Sequence, residues 1–117
     1  MHDFRKLNVY QRALKYGSTV RRLTRTYPKE ELFVLTSQFR RAADSIVLNI
    51  AEGAGNVSKK EFAKFLIYAV RSGYECLGCA DISLMEEYIT QVEFKELSTE
   101  TNEIVSMLIG LQRSLSK

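Results

Sequence analysis

The segment from Ser37 to Gly53 constrains the fold of this chain more than any other part of the sequence. Its apolar residues recur at the three- and four-residue spacing of a helix that buries one face: Phe39, Ala42, Ala43, Ile46 and Ile50. A Gly-Ala-Gly sequence follows at 53–55, and Ser58 with Glu61 then forms a Ser-x-x-Glu capping box. The segment therefore predicts one long helix, a short turn and the beginning of another helix.

The same periodicity divides the chain into four helical segments, at about 7–25, 29–52, 58–88 and 90–116. Pro28 separates the first two, and Thr90 with Glu93 forms a second capping box. Leu32 is assigned to the core stripe of the second helix, and Gly53 is expected to cap its C-terminus with a positive φ. Because short connections favour antiparallel neighbours, the predicted fold is all-α: an up-down-up-down four-helix bundle, in one domain spanning 1–117.

The composition argues against a membrane protein or an exported one. The longest apolar runs fall well short of the ~20 residues of a membrane span. The first residues lack the apolar segment of a signal peptide. We therefore expect a cytoplasmic protein without a membrane partner.

Residues suited to catalysis are scarce. The only histidine is His2, at the start of the sequence, so a Ser-His or Cys-His nucleophile pair is not expected. Cys76 and Cys79 fall in the middle of the third helix, whereas redox dithiols lie where a helix begins, so we interpret them as small buried side chains. The sequence therefore predicts a non-enzymatic protein with no catalytic residues, no metal site and no cofactor.

Positive charge is concentrated in the first part of the chain. Residues 1–71 contain 14 Lys and Arg against 6 Asp and Glu, whereas residues 72–117 contain 3 against 8. Lys59 and Lys60 lie in the first turn of the third helix, where positive charge opposes the helix dipole and a bound phosphate would offset that cost. The predicted nucleic-acid-binding residues are Arg12, Lys15, Arg21, Arg22, Arg25, Lys59 and Lys60.

Two other interpretations of this basic surface remain open. In the first, the surface is an ordinary solvated face, as most runs of charged residues are. In the second, the surface binds an acidic partner. That partner would be another protein or the acidic C-terminal half of a neighbouring subunit. A protein-interaction scaffold without nucleic-acid binding is therefore the alternative function.

The third helix has a second apolar stripe, about 100° from its core stripe, formed by Ile67, Val70, Tyr74, Met85 and Tyr88. A helix in a lone bundle needs only one buried face, and surplus apolar surface often marks a partner. The stripe therefore predicts a homo-oligomer interface. Alternatively, Val70 and Tyr88 simply widen the core of the bundle.

Asn49 and Glu52 are unusual at the end of the second helix. An Asn at the edge of a core stripe is expected to hydrogen-bond a neighbouring helix and fix its register. The charge of Glu52 opposes the helix dipole, which predicts a cationic partner in Arg41, Lys59 or another subunit. Structural roles are favoured for Asn49, Glu52 and Gly53.

Several of these segments resemble the 23S rRNA intervening-sequence protein family, which includes the accessory variability determinants of diversity-generating retroelements. The similar segments lie at 3–7, 9–11, 36–43, 45–46, 49–53 and 60–62, and the Asn-Ile-Ala-Glu-Gly block at 49–53 is the most specific. The chain departs from the family at Val47, where many members have proline, and at Asn56, where a basic residue is common.

The resemblance implies a four-helix bundle that assembles as a ring, typically a homopentamer. In the retroelement members it implies a basic surface that binds nucleic acid and a reverse transcriptase. We therefore expect a non-enzymatic homo-oligomeric bundle that binds structured RNA or DNA, with a protein such as a reverse transcriptase as a further partner.

Overall fold

Four α-helices make up most of residues 3–56 and 58–116, the part of the chain described by this computed structural model. The helices are α1 (Asn8–Thr24), α2 (Leu35–Ala54), α3 (Lys59–Met85) and α4 (Gln91–Leu115). Short 3₁₀ turns at Phe4–Lys6 and Lys29–Glu31 precede α1 and α2. The predicted all-α fold is confirmed; His2 lies outside the described residues. None of the helices described is long and apolar enough to cross a membrane.

Contacts between the helices establish the topology. Gly53 of α2 lies against Phe65 of α3, whereas Gln38, earlier in α2, hydrogen-bonds Glu75, later in α3, so the two helices are antiparallel. α4 packs on α3 and closes the bundle against α1, where the Thr101 hydroxyl donates to the Tyr16 hydroxyl at 2.8 Å. The arrangement is the predicted up-down-up-down bundle.

The core is formed by the apolar stripes that the periodicity identified. The largest fully buried side chains include Phe39, Ile46, Ile50, Leu66, Ile104 and Leu108. Cys76 and Cys79 are both buried on α3, as predicted. Two buried hydroxyl pairs join distant helices: the Tyr16–Thr101 pair, and Tyr27, whose hydroxyl donates to Ser83 Oγ at 2.7 Å.

The predicted beginning of α2 is wrong by six residues, because the helix starts at Leu35 and not at 29. Leu32, assigned to the core, is 45% exposed, and Val34 leaves the helical conformation with φ −121° and ψ −99°. The physical cause lies at Glu31, whose carboxylate accepts a hydrogen bond from the Tyr88 hydroxyl at 2.8 Å and one from the Leu35 amide at 3.4 Å. This anchors the segment as a turn ahead of α2.

The predicted cap at Gly53 is also wrong. α2 continues to Ala54, and its C-cap is Gly55, whose φ of −74° any residue can adopt. Gly53 is buried inside the helix, where a Cβ would lie 2.6 Å from Phe65 Cβ. The absence of a side chain at Gly53 therefore permits close packing of α2 on α3.

α3 ends at Met85, three residues before the predicted end, in a Schellman motif. The Tyr88 amide donates to the Ser83 carbonyl at 2.9 Å, and the Glu87 amide to the Leu84 carbonyl at 3.0 Å. Glu87 adopts the left-handed conformation with φ 61°. At the start of α4, the predicted capping box between Thr90 and Glu93 is complete, whereas at α3 Glu61 pairs with Lys64 instead of completing the box with Ser58.

Replacing Glu87 with glycine is expected to raise the free energy of unfolding by about 0.5–1 kcal/mol. A side chain in the left-handed conformation costs about 1–2 kcal/mol, which outweighs the extra flexibility that glycine gives the unfolded chain. Urea denaturation followed by circular dichroism measures the change. Glu86→Gly is the matched control, because Glu86 has φ −83° and gains nothing from glycine, so it should lose stability. A loss of stability in Glu87→Gly as large as in the control would contradict the prediction.

Candidate interaction surfaces

Two of the predicted nucleic-acid-binding residues form ion pairs within the chain. Arg12 of α1 donates to both carboxylate oxygens of Glu100 in α4, at 2.7 and 2.9 Å, and lies 3.6 Å from Glu103. Arg21 donates to both carboxylate oxygens of Asp44 in α2, at 2.6 and 2.8 Å. The hydrogen bond with Glu100 raises the pKa of Arg12, and that with Asp44 raises the pKa of Arg21. Both arginines therefore join α1 to its neighbours.

The basic face of α1 lies beside an acidic face of α4. Lys15 and Arg22 line a cleft of about 540 Å³, whose opposite wall includes Glu93, Glu96 and Glu100. The two oppositely charged parts of the sequence thus meet inside one subunit. This contact reduces the positive potential that α1 alone would present to an anion.

Apart from Lys15 in the middle of α1, the topology divides the remaining predicted cations between the two ends of the bundle. Arg22 and Arg25 lie where α1 ends, whereas Lys59 and Lys60 lie where α3 begins, at the same end of the bundle as the start of α1. At 1.5 Å per residue, the two groups are separated by about 20 Å along the bundle axis. They cannot form one continuous patch within a subunit.

The end of the bundle where α3 begins has further cations close in sequence to the start of α1. Arg5 lies over the Phe4 ring at 4.8 Å, and the one ion pair of Lys6 with a described residue is a long, exposed contact of 3.9 Å with Asp3. Lys59 and Lys60 are exposed and have no acidic partner among the residues described. We call Arg5, Lys6, Lys59 and Lys60 the basic end.

The second apolar stripe of α3 is divided by the structure. Val70 is only 8% exposed and belongs to the core, while Tyr88 packs on Tyr27 with the ring centroids 5.1 Å apart. These two residues therefore widen the core, as the alternative interpretation expected, and are removed from the predicted interface. Tyr74 and Met85 are exposed and Ile67 is half-buried, so the homo-oligomer interface stays a prediction for these three.

Sequence reasoning missed a larger apolar surface at the turn before α2. Phe33 is 89% exposed, and Phe33 and Val34 border a groove together with Ile82 of α3, one turn before the exposed Met85. We call Phe33, Val34, Ile82 and Met85 the apolar band. Its signal in the sequence is the run Leu-Phe-Val at 32–34, because one helical face cannot bury three consecutive apolar residues.

The outer face of α2 has a regular pattern of its own. Arg41, Ser45, Leu48 and Glu52 are spaced by four, three and four residues, and they border a cleft of about 470 Å³ that also includes Asn49 and Glu75. Leu48 is 64% exposed. Arg41 and Glu52 are exposed, and neither forms an ion pair with a residue in the described ranges. We call these four residues the α2 face.

The family block at 49–53 is placed beside this face. Asn49 Nδ2 donates to the Ser45 carbonyl at 2.8 Å and to Ser45 Oγ at 3.0 Å, so it bonds its own helix and not a neighbouring one, contrary to the prediction. Ser45 Oγ in turn accepts a hydrogen bond from Ser72 of α3 at 2.8 Å. The link between the helices therefore passes through the two serines. For Glu52, neither predicted partner within the chain, Arg41 or Lys59, is in contact.

The described residues offer no site suited to metal binding or thiol chemistry. Among them, no group of three or more His, Cys, Asp or Glu residues could hold a metal ion. Burial raises the pKa of Cys76 to about 12 and that of Cys79 to about 11. Nucleophilic cysteines have a lowered pKa, so the environment of this pair has the opposite effect.

Comparison with known proteins finds one family and a similar fold. Residues 5–110 match the sequence profile of a family described as 23S rRNA-intervening sequence protein. A solved structure from Bacteroides thetaiotaomicron, described as a protein with unknown function from the S23 ribosomal protein family, superimposes with a TM-score of 0.83. It is 24% identical, and the alignment covers 90% of this chain and 95% of that one. No match is found among curated proteins.

Proposed function

Because this chain belongs to the 23S rRNA-intervening sequence protein family, we propose that it is a self-associating, non-enzymatic bundle that binds structured nucleic acid through the basic end. The observation that supports this most directly is the pair Lys59 and Lys60. Both ammonium groups are exposed in the first turn of α3 and have no acidic partner within the described residues. They cost the helix a little stability, which a bound phosphate would offset.

The basic end combines two kinds of group that donate hydrogen bonds to an anion: backbone N–H groups and lysine side chains. Because the Glu61 amide already donates to Ser58 Oγ, the first-turn N–H groups available to an anion are those of Lys59 and Lys60, and the two lysine side chains supply mobile positive charge beside them. Arg5 and Lys6 extend this charge across the start of α1. Phosphates along a nucleic-acid backbone would bridge these groups, whereas a lone anion would contact only one of them.

Self-association would multiply a weak contact of this kind by avidity. It is supported by the apolar side chains that the fold leaves exposed on α3, Tyr74, Ile82 and Met85. Arg12 and Arg21 are left out of the proposed site because their guanidinium groups are bound by Glu100 and Asp44. Arg22 and Arg25 would make a separate contact about 20 Å away.

Fluorescence anisotropy of a labelled RNA hairpin and a duplex DNA, at several salt concentrations, tests this site. Replacing both Lys59 and Lys60 with alanine should weaken binding and reduce the slope of log affinity against log salt by about two, since each phosphate contact contributes about 0.9. Lys95→Ala, on the exposed surface of α4, is the matched control and should change neither quantity. An unchanged slope in the double variant would overturn the assignment to the basic end.

A protein-binding module is the second candidate, and the apolar band is the observation that favours it. An aromatic ring that is 89% exposed beside three other exposed apolar side chains is typical of a surface that a partner covers. The same titration separates the two functions. If neither nucleic acid binds even at low salt, the basic end is a solvated surface and protein binding becomes the leading function.

A further inference from the structure

We propose that the groove bordered by Phe33, Val34 and Ile82 binds an amphipathic helix of another protein, one with a Lys or Arg at each end of its apolar stripe. The inference rests on the protein-binding candidate and gives it a partner of defined chemistry, and it requires no nucleic acid. It is carried by the apolar lining of the groove, by the carboxylates at its ends and by the helices that form its walls.

The groove is apolar at its base and open to solvent at its edge. It has a volume of about 490 Å³, and two buried side chains, Leu35 and Cys79, form the base. Val34 and Ile82 are exposed on its walls, and the Phe33 ring is almost wholly exposed beside them. A covered aromatic ring buries about 150–250 Å², so Phe33 would supply much of the binding free energy of a partner.

Glutamates lie at both ends of the groove. Glu75, Cys79, Ile82 and Glu86 are spaced by four, three and four residues, so they share one side of α3. Glu86 lines the groove, and Glu75 accepts a hydrogen bond from Gln38, which lines it from α2. Both glutamates are exposed, and neither forms an ion pair with a residue in the described ranges. They are eleven residues apart, about 16 Å along the helix axis.

Three carboxylates lie close together at the end marked by Glu86. Glu31 also lines the groove, and it accepts a hydrogen bond from the Tyr88 hydroxyl. That hydrogen bond is the largest cause that raises the pKa of Tyr88 to about 12, and the charges of Glu31, Glu86 and Glu30 add to it. Within the described part of the chain, no Lys or Arg lines the groove. The charge therefore favours a cationic partner and disfavours a nucleic acid or an anionic lipid surface.

The walls of the groove favour a helical partner. They come from the start of α2 and the end of α3, and no strand lies among the residues described, so an extended peptide has no sheet edge to join. A helix laid along α3 has the same rise per residue. Two cations eleven residues apart would then meet Glu75 and Glu86, with apolar residues four and seven positions after the first cation to cover the base. Because this spacing is symmetric, the partner helix can run in either direction.

The groove is separate from the other surfaces of the proposed function. Among the exposed apolar side chains of the described α3, only Ile82 lines it, so Tyr74 and Met85 stay available for self-association. Phe33 precedes α2, whereas Lys59 follows it, so the groove and the basic end are about 30 Å apart, at opposite ends of the bundle. A protein and a nucleic acid could therefore bind to one subunit together.

Two labelled peptides of equal apolar content and opposite charge test the groove by fluorescence anisotropy at low salt, without nucleic acid. The first, Lys-Ala-Ala-Gln-Leu-Ala-Gln-Leu-Ala-Ala-Gln-Lys with blocked termini, should bind saturably. The second, with Glu in place of both lysines, should bind about tenfold more weakly. Phe33→Ser should weaken binding of the lysine peptide at least about tenfold, because it removes the largest exposed apolar side chain. Val92→Ser, at an exposed apolar residue of α4, is the matched control and should change nothing.

Charge exchange tests the alignment of the partner along α3. The double variant Glu75→Lys with Glu86→Lys should reverse the preference, so that the glutamate peptide binds more tightly than the lysine peptide. Circular dichroism confirms that each variant is folded. Failure of the lysine peptide to bind saturably, binding that Phe33→Ser leaves unchanged, or a preference that the double variant does not alter would overturn the inference.

Light scattering distinguishes a foreign partner from a second copy of the chain. If Phe33→Ser reduces the mass of an oligomer to that of the 13.4 kDa monomer, copies of this chain cover the groove, and the inference is wrong. An unchanged mass supports it. Phe33→Ser should also bind the RNA hairpin as the unmodified protein does, so a failure at the groove is distinguishable from a failure at the basic end.

Discussion

Replacing Gly53 with alanine is expected to lower the free energy of unfolding by about 2 kcal/mol, and Gly73→Ala by a similar amount. The new methyl group would lie 2.6 Å from Phe65 Cβ in the first case and 2.7 Å from Val105 Cγ2 in the second. Phe65 Cβ is fixed to the backbone of α3, and a β-branched valine has few rotamers, so the helices themselves must separate. Urea denaturation of each variant measures the loss.

Gly78→Ala is the control for both substitutions. Gly78 lies inside α3, as Gly73 does, but a Cβ added there meets no atom within 4 Å. Alanine should therefore stabilise the protein by about 0.5–1 kcal/mol through its greater helix propensity. Opposite signs at positions 73 and 78 would show that helix packing decides the outcome. Stabilisation at all three positions would instead mean that the helices adjust freely to the added methyl group.

The second large effect is a loss of stability in alkali. Burial raises the pKa of Cys76 from 9.0 to about 12 and that of Cys79 to about 11, and it also raises the pKa values of Tyr16 and Tyr27. Each group is neutral when protonated, so its contribution is complete below the pKa of the unfolded chain. As the pH rises from about 9 toward 11, these groups ionise in the unfolded chain while the folded one keeps most of its protons. The folded state then loses up to about 1.4 kcal/mol per pH unit for each such group.

Urea midpoints measured at pH 7 and pH 10 test this expectation, and the midpoint should be clearly lower at pH 10. Thiol labelling supplies an independent readout, since a rise in pKa from 9.0 to about 12 reduces the thiolate fraction about a thousandfold. A cysteine introduced at the exposed Ser106 should therefore react far faster than the native pair in the folded protein. Equal midpoints, together with native thiols that react as fast as the introduced one, would contradict the prediction.

Helical periodicity predicted the four helices and most of the core, because these depend on spacing along one helix at a time, and the short connections predicted the antiparallel order. It failed at Leu32, which has the correct spacing for the α2 core but lies in a turn. The deciding contact is between Glu31 and Tyr88, 57 residues apart in sequence. Gly53 is a similar case, since a glycine near a helix end suits a cap and a close contact equally well, and only Phe65 on the next helix distinguishes them.

The candidate sites were harder to predict because they, too, depend on contacts between residues that are far apart in the sequence. A rule that compares charges four residues apart finds α1 without a neutralising acid, yet Arg12 meets Glu100, 88 residues later in the sequence. The apolar band arises because Phe33 and Val34 leave the helical path, which periodicity does not anticipate. Lys59 and Lys60 lie in the first turn of α3, as predicted, because the start of a helix is determined by local sequence.

The pairing of α1 with α4 also affects how the chain is made. The acids that oppose Arg12, Lys15 and Arg22 belong to the last helix, so they reach the ribosomal exit after the other three helices. Before α4 emerges, residues 1–90 contain 14 basic and 10 acidic residues, and the excess is concentrated in the first 71 positions. Synthesis of α4 supplies both the final wall of the core and the neutralising charge. Docking of α4 therefore completes the bundle and masks its basic helix in one step.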